Sequence, residues 1–118
     1  MKGIYWHVTP TTHVDSILKT GISVSEDGHF GEGVYCINRN DLNTLQVILN
    51  AEWYRDEGIK FEDLSIVEFI YHGNKIESHI PVMTNYRDEQ WILIKSKIHQ
   101  DCIIKILKSE DFIELKYQ

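Results

Sequence analysis

No cysteine pair in this chain has a metal-binding spacing. Cys36 and Cys102 stand alone, each in an apolar, strand-like run. That excludes a zinc ribbon or finger and points to buried, reduced thiols. The six histidines, at 7, 13, 29, 72, 79 and 99, include no H-x-x-x-H pair, so no metal site is expected. No apolar run approaches ~18 residues, and Met1-Lys2-Gly3-Ile4 opens no long apolar stretch, so neither a membrane span nor a signal peptide is expected. A reduced, cytoplasmic protein is the expectation. Internal repeats and low-complexity linkers are also missing. Basic charge is in deficit: 12 Lys plus Arg against 18 Asp plus Glu give a net charge of −6. Broad wrapping of nucleic acid needs a basic face and is excluded; a local pocket for one nucleotide is not.

What is present is enough for one core. A length of 118 residues predicts a single domain, 1–118, and an apolar content of 42% rich in Trp and Tyr argues against disorder. Lys2 to Val8 reads as a strand that Pro10 ends. Thr12-His13-Val14-Asp15 has the spacing of a capping box, and Val14, Ile17 and Leu18 mark one face of a short helix closed by Gly21. Ile22 to Val24 reads as a brief strand, and Ser25 to Gly28 as a turn. Leu42, Leu45, Ile48, Leu49 and Trp53 predict an amphipathic helix over 41–57, closed by Gly58. Beyond Gly58 the pattern turns to strands: Leu64 to Tyr71, Ile76 to Val82, Trp91 to Ile94, Cys102 to Leu107 and Phe112 to Tyr117. His72 to Lys75 reads as a turn and Asn85 to Glu89 as a polar loop. Two early helices and many late strands predict an α+β fold, a mixed and largely antiparallel sheet with two helices packed on it.

Three places carry candidate chemistry. His7 ends a strand otherwise made of aromatics and valine. His29-Phe-Gly-Glu-Gly-Val-Tyr-Cys-Ile-Asn38 places Gly31 and Gly33 where a backbone turns sharply or approaches a ligand, and puts Tyr35 at the start of a strand. There a tyrosine offers a flat ring to a planar group and a hydroxyl to a polar edge. Glu89 and Gln90 sit where a polar loop meets the apolar strand from Trp91, a place from which a carboxylate or amide reaches a sugar hydroxyl. Each feature alone is ordinary: a Gly-x-Gly before a strand is usually a turn or bulge, and strands are commonly flanked by polar residues.

Taken in order, the three resemble the ADP-ribosyltransferase superfamily, whose poly(ADP-ribose)-polymerase-like branch carries a His–Tyr–Glu triad. "YWHVTP" and the following "VDSILKTGI" look like the opening of small bacterial members and of RNA 2′-phosphotransferase-like proteins. "FGEGVY" is similar to the Phe-Gly-x-Gly-x-Tyr segment of the polymerases, and "EQWILI" with "DCIIKI" to the late catalytic strand and its successor. The resemblance runs from Tyr5 to about Ile106.

It implies a split sheet and NAD as substrate. His7 would hydrogen-bond the adenine ribose, with Thr9 supporting that end. Tyr35 would stack on the nicotinamide ring, and Gly31 and Gly33 would let the chain pass close to the cofactor. The third triad position falls on Gln90 if Trp91-Ile92-Leu93 matches the family's Glu-aromatic-aliphatic run, and on Glu89 if the strand is shifted by one. The Trp91 alignment favours Gln90. The implied function is NAD-dependent mono-ADP-ribosyl transfer to a protein or nucleic-acid acceptor. A glutamine in the third position would instead suit an NAD- or ADP-ribose-binding module, or an inhibitor protein of the same fold, of phage or toxin origin. A 2′-phosphotransferase needs a basic pocket, and Arg39, Arg55 and Arg87 are the only arginines.

Overall fold

Aromatic and β-branched residues make Gly3–Pro10 the first strand, β1, and Pro10 ends it, having no N–H to give a ladder. In the structure, a computed structural model that describes residues 3–26, 32–73, 76–82 and 87–117 (76–82 and 87–88 as backbone), β1 lies inside a six-stranded sheet. The elements that follow are α1 (Val14–Thr20), β2 (Val34–Asn38), α2 (Leu42–Leu49), α3 (Glu52–Asp56), β3 (Leu64–Tyr71), β4 (Ile76–Val82), β5 (Arg87–Ile94) and β6 (Ile103–Lys108). The strand order is β4-β5-β2-β1-β3-β6, and every described pairing is antiparallel. The α+β class and the antiparallel sheet therefore stand as expected, with three helices in place of two.

Side-chain alternation divides the core between the two faces of the sheet. Tyr5, Val34, Cys36, Val67, Phe69, Ile92 and Ile94 pack on one face, with Ile17 of α1 over them. Trp6, Val8, Ile37, Leu64 and Ile66 pack on the other, under Leu45, Ile48 and Leu49 of α2. Trp6 and Glu68 are direct cross-strand partners, and the buried indole Nε1 donates to Glu68 Oε1 at 2.9 Å. Among the described residues no helix is long and apolar enough to cross a membrane.

Several local expectations change. The helix over 41–57 is two helices, because Asn50 leaves the helical path and Ala51 is extended. Asn50 Nδ2 donates to Gln46 O at 2.7 Å and to Leu115 O at 3.0 Å, and its Oδ1 accepts from Tyr117 N at 2.8 Å. Those bonds to a distant segment outweigh helix continuation. Leu42 and Trp53, at the two ends of the predicted stripe, are exposed. Phe112 to Tyr117 is no strand: Ser109–Leu115 forms 3-10 turns whose Phe112 packs on Trp6, ring centroids 5.5 Å apart. Ile22 to Val24 contributes one bridge, Ile22 to Ile98. β5 starts at Arg87, inside the expected polar loop, because β4 satisfies its backbone whatever the side chains are. Thr12 makes no cap; α1 begins after a 3-10 turn, Thr11–His13, and shows no side-chain cap bond. The turn residues 27–28, 74–75 and 85–86 lie outside the described residues.

Gly21 closes α1 as expected, with φ +84° and its N–H on Ile17 O at 2.7 Å. A Cβ there would run into Ile98 O, the carbonyl that Ile22 N–H holds at 2.8 Å. Gly21→Ala is therefore expected to cost at least about 1–3 kcal/mol, the scale of a strained left-handed residue, read as a lower midpoint in urea unfolding. An unchanged midpoint would contradict the close packing of this turn against the Ile98 bridge that follows β5.

Candidate functional site

β2 is where the sheet changes partners. Its first residues, Val34 to Cys36, pair with Ile94 to Ile92 of β5, and its last two, Ile37 and Asn38, pair with Trp6 and Tyr5 of β1. Arg39 N–H extends the β1 side by donating to Ile4 O at 3.3 Å. Hydrogen-bonded pairs recur at every second residue of an antiparallel ladder. With Ile4–Arg39 and Trp6–Ile37 in that phase, Val8–Tyr35 is the next pair due to exchange bonds. It is not part of the ladder. Tyr35 O accepts instead from His7 Nδ1, at 2.8 Å. Val8 O accepts from the Tyr54 hydroxyl of α3, at 3.4 Å. Two side chains thus take the carbonyls of one missing rung, and β1 and β2 part there.

A carbonyl oxygen only accepts, so His7 Nδ1 carries the proton of that bond. In the neutral ring Nε2 then presents a lone pair. Burial holds the imidazole below its ordinary 6.5; the Tyr35 bond opposes that shift and nearby His13 adds to it. The unfolded chain therefore takes up this proton first as the pH falls past 6.5, and folded stability drops at up to about 1.4 kcal/mol per pH unit until the folded chain protonates too. The difference in unfolding free energy, parent minus His7→Gln, is expected to shrink between about pH 7.5 and about pH 5.5. A difference that does not move with pH would contradict a desolvated His7.

Tyr35 projects to the opposite face of β2 from Cys36. It stands opposite Leu93, and two residues up β5 the Trp91 ring meets it edge-on at 6.1 Å between centroids. Two residues further, Glu89 reaches the same face. Burial pushes its carboxyl above the ordinary 4.5, and a hydrogen bond with the Trp91 side chain opposes the rise. Tyr35, Trp91 and Glu89 thus form a row on the face of Trp6 and Ile37, whereas His7, alternating with Trp6 and paired with Val67, belongs to the opposite face and meets the row only at the seam, through the Tyr35 backbone carbonyl. Gln90, by alternation, belongs to the face of Ile92 and Ile94, and its backbone N–H donates to Thr44 Oγ1 of α2 at 3.0 Å. The register Tyr35–Leu93 is what separates Glu89 from Gln90 here.

The remaining sequence candidates fall as follows. Thr9 is buried two residues beyond His7, with Oγ1 3.5 Å from His13 Nδ1. Gly33 has its space taken by β5: a Cβ there would meet the Leu93 side chain and lie 2.8 Å from Ile94 O. Its lack of a side chain is used for strand approach. Gly31 lies outside the described residues. Trp91 and Tyr54 were not singled out for the site by sequence; the signal for Trp91 is its i+2 spacing from Glu89 on an apolar strand, and nothing local marks Tyr54. An open depression of about 490 Å³ beyond the Pro10 end of β1, edged by His13, Glu57, Ile59 and Asp63, includes none of His7, Tyr35 or Glu89. Among the described residues no group of three or more His, Cys, Asp or Glu is placed to hold a metal ion. Comparisons with protein-family models, with curated proteins and with solved structures found no match to this chain.

Proposed function

We propose that this chain is an NAD-dependent mono-ADP-ribosyltransferase acting on a macromolecular acceptor, in a cytoplasmic setting that its two free thiols suit. One observation carries the reading. His7, Tyr35 and Glu89 are far apart in sequence, yet they stand on β1, β2 and β5, three strands side by side, with His7 on the Tyr35 carbonyl and Glu89 on the Tyr35 face, four residues along β5 from the Tyr35 partner Leu93.

Each group has a task in NAD cleavage. The lone pair on His7 Nε2 accepts a ribose hydroxyl, in a tautomer fixed by the Tyr35 carbonyl. The Tyr35 ring, half-buried against Trp91, offers a face to the nicotinamide. The Glu89 carboxylate holds the 2′-hydroxyl of the nicotinamide ribose and stabilises the positive charge that grows at C1′ as nicotinamide leaves with the bonding electrons. An acceptor nucleophile then bonds C1′ and gives up its proton.

The test is direct. The protein is titrated with NAD by calorimetry, then incubated with NAD alone and with cell lysate, while free nicotinamide and ADP-ribosyl adducts are followed by mass spectrometry. Nicotinamide release with an adduct supports the transferase. Binding without release assigns the chain to the NAD-binding module, and absence of binding removes both.

A further inference from the structure

The missing rung between β1 and β2 has a second side chain in it, and the transferase reading does not use it. Tyr54 comes from α3, on the face of the sheet that carries Trp6 and Ile37, and its hydroxyl donates to Val8 O at 3.4 Å. Val8 O is the acceptor that the Tyr35 N–H would meet if the β1–β2 ladder continued in phase. A β-ladder extends wherever both edges offer their groups, because an unpaired buried carbonyl is costly. Something must therefore hold the rung open, and His7 occupies only its Tyr35 side.

We propose that Tyr54 is a positioning residue for His7: by taking the Val8 carbonyl it stops β1 and β2 from closing and keeps room for the imidazole on the Tyr35 carbonyl. Three features favour this. Tyr54 sits on a five-residue helix, Glu52–Asp56, that exists as a separate element because the chain breaks at Asn50 and Ala51. The break sets α3 apart from α2, within reach of β1. Burial also pushes the Tyr54 phenol up to about 12, so the hydroxyl keeps its proton at any working pH and remains a donor. Finally, the bond crosses from a helix to the β1 carbonyl that faces the missing rung, so it is not a generic surface contact.

The inference rests on the proposed reading only where NAD is concerned; its structural core is tested without NAD. The experiment is imidazole ¹⁵N NMR of His7 across pH in the full chain and in Tyr54→Phe. In the parent, His7 is expected as the Nδ1–H tautomer, titrating below the ordinary 6.5. In Tyr54→Phe the tautomer preference weakens and the titration moves up toward 6.5, as the ring is expelled toward water. Tyr54→Leu, which also lacks a donor, reproduces the Phe result. If the Phe variant does not fold, the Leu variant decides the matter. The same His7 tautomer and titration with and without a donor at position 54 overturn the proposal. With NAD, Tyr54→Phe is expected to raise KM several-fold, up to about tenfold, the share of one neutral hydrogen bond, and to leave kcat unchanged. A His7 shift in a chain that does not bind NAD sinks the transferase reading and keeps this one. NAD turnover with no His7 shift does the reverse.

Discussion

Glu89→Gln is expected to slow nicotinamide release from NAD by about 10²–10³-fold, roughly 3–4 kcal/mol of transition-state stabilisation, while Gln90→Ala changes it only a few-fold. The substitution is nearly isosteric. A glutamine oxygen still accepts from Trp91 and still meets a ribose hydroxyl, so binding is expected to survive and the loss to fall on kcat. What disappears is the negative charge facing an oxocarbenium-like centre. Burial holds the Glu89 carboxyl above 4.5, so the acid limb of the rate–pH profile is expected above that value. Activity should rise with pH through that limb in the parent, and the limb should vanish in Glu89→Gln. The opposite ranking, a large loss in Gln90→Ala with Glu89→Gln near normal, would place the third group on the other face of β5 and overturn the row built on Tyr35 and Trp91.

The second large effect is on stability. Trp6→Ala is expected to cost roughly 3–5 kcal/mol for the cavity alone, out of a total that is typically about 5–15 for a domain. Trp6 is 3% exposed and packs against Leu45, Ile66 and the Phe112 ring. It is also the donor to Glu68, itself 4% exposed. Losing the donor leaves a buried carboxyl short of a partner, about 1–3 kcal/mol more. Two controls separate these effects. Trp6→Phe keeps most of the volume and should lose mainly the hydrogen-bond share. Trp6→Phe combined with Glu68→Leu should recover much of that share, because removing both polar partners is far cheaper than removing one. Urea unfolding of these four chains and of Glu68→Leu alone measures it. Additive losses in the double variant would mean that the indole–carboxyl bond contributes nothing.

The sequence was most legible where the pattern is local. The apolar run of β3, Leu64–Tyr71, could not be mistaken, and Gly21 announced the end of α1 by its place alone. Legibility failed where a distant group decides. The apolar stripe past Leu49 is helical in period, but Asn50 finds Leu115 and Tyr117, which no window of neighbouring residues can foresee. The first half of β5 is polar and becomes strand only because β4 lies beside it. The candidate site divides in the same way. The sequence suggested the order His7, Tyr35, then residue 89 or 90 from apparent strand ends, but His7 lies inside β1 and Glu89 is the third residue of β5. Which of Glu89 and Gln90 shares the face of Tyr35 was not readable, since that depends on the register of two strands more than 50 residues apart in sequence. Nor was the open rung: it needs Val8, Tyr35, His7 and Tyr54 together, from three elements.

β2 also sets how the protein comes apart. It gives two rungs to β1 and three to β5, whereas β1 shares eight with β3 and β4 shares seven with β5. Two well-knit blocks, β1-β3-β6 and β4-β5, are thus joined by a narrow isthmus. Amide hydrogen exchange in deuterated buffer will register them as separate cooperative units, the outer hairpin breathing at lower free energy than the block that holds Phe69 and Val67. A ligand gripping both His7 and Glu89 spans that isthmus, and its binding will show as slowed exchange in the hairpin as much as in the groups it touches.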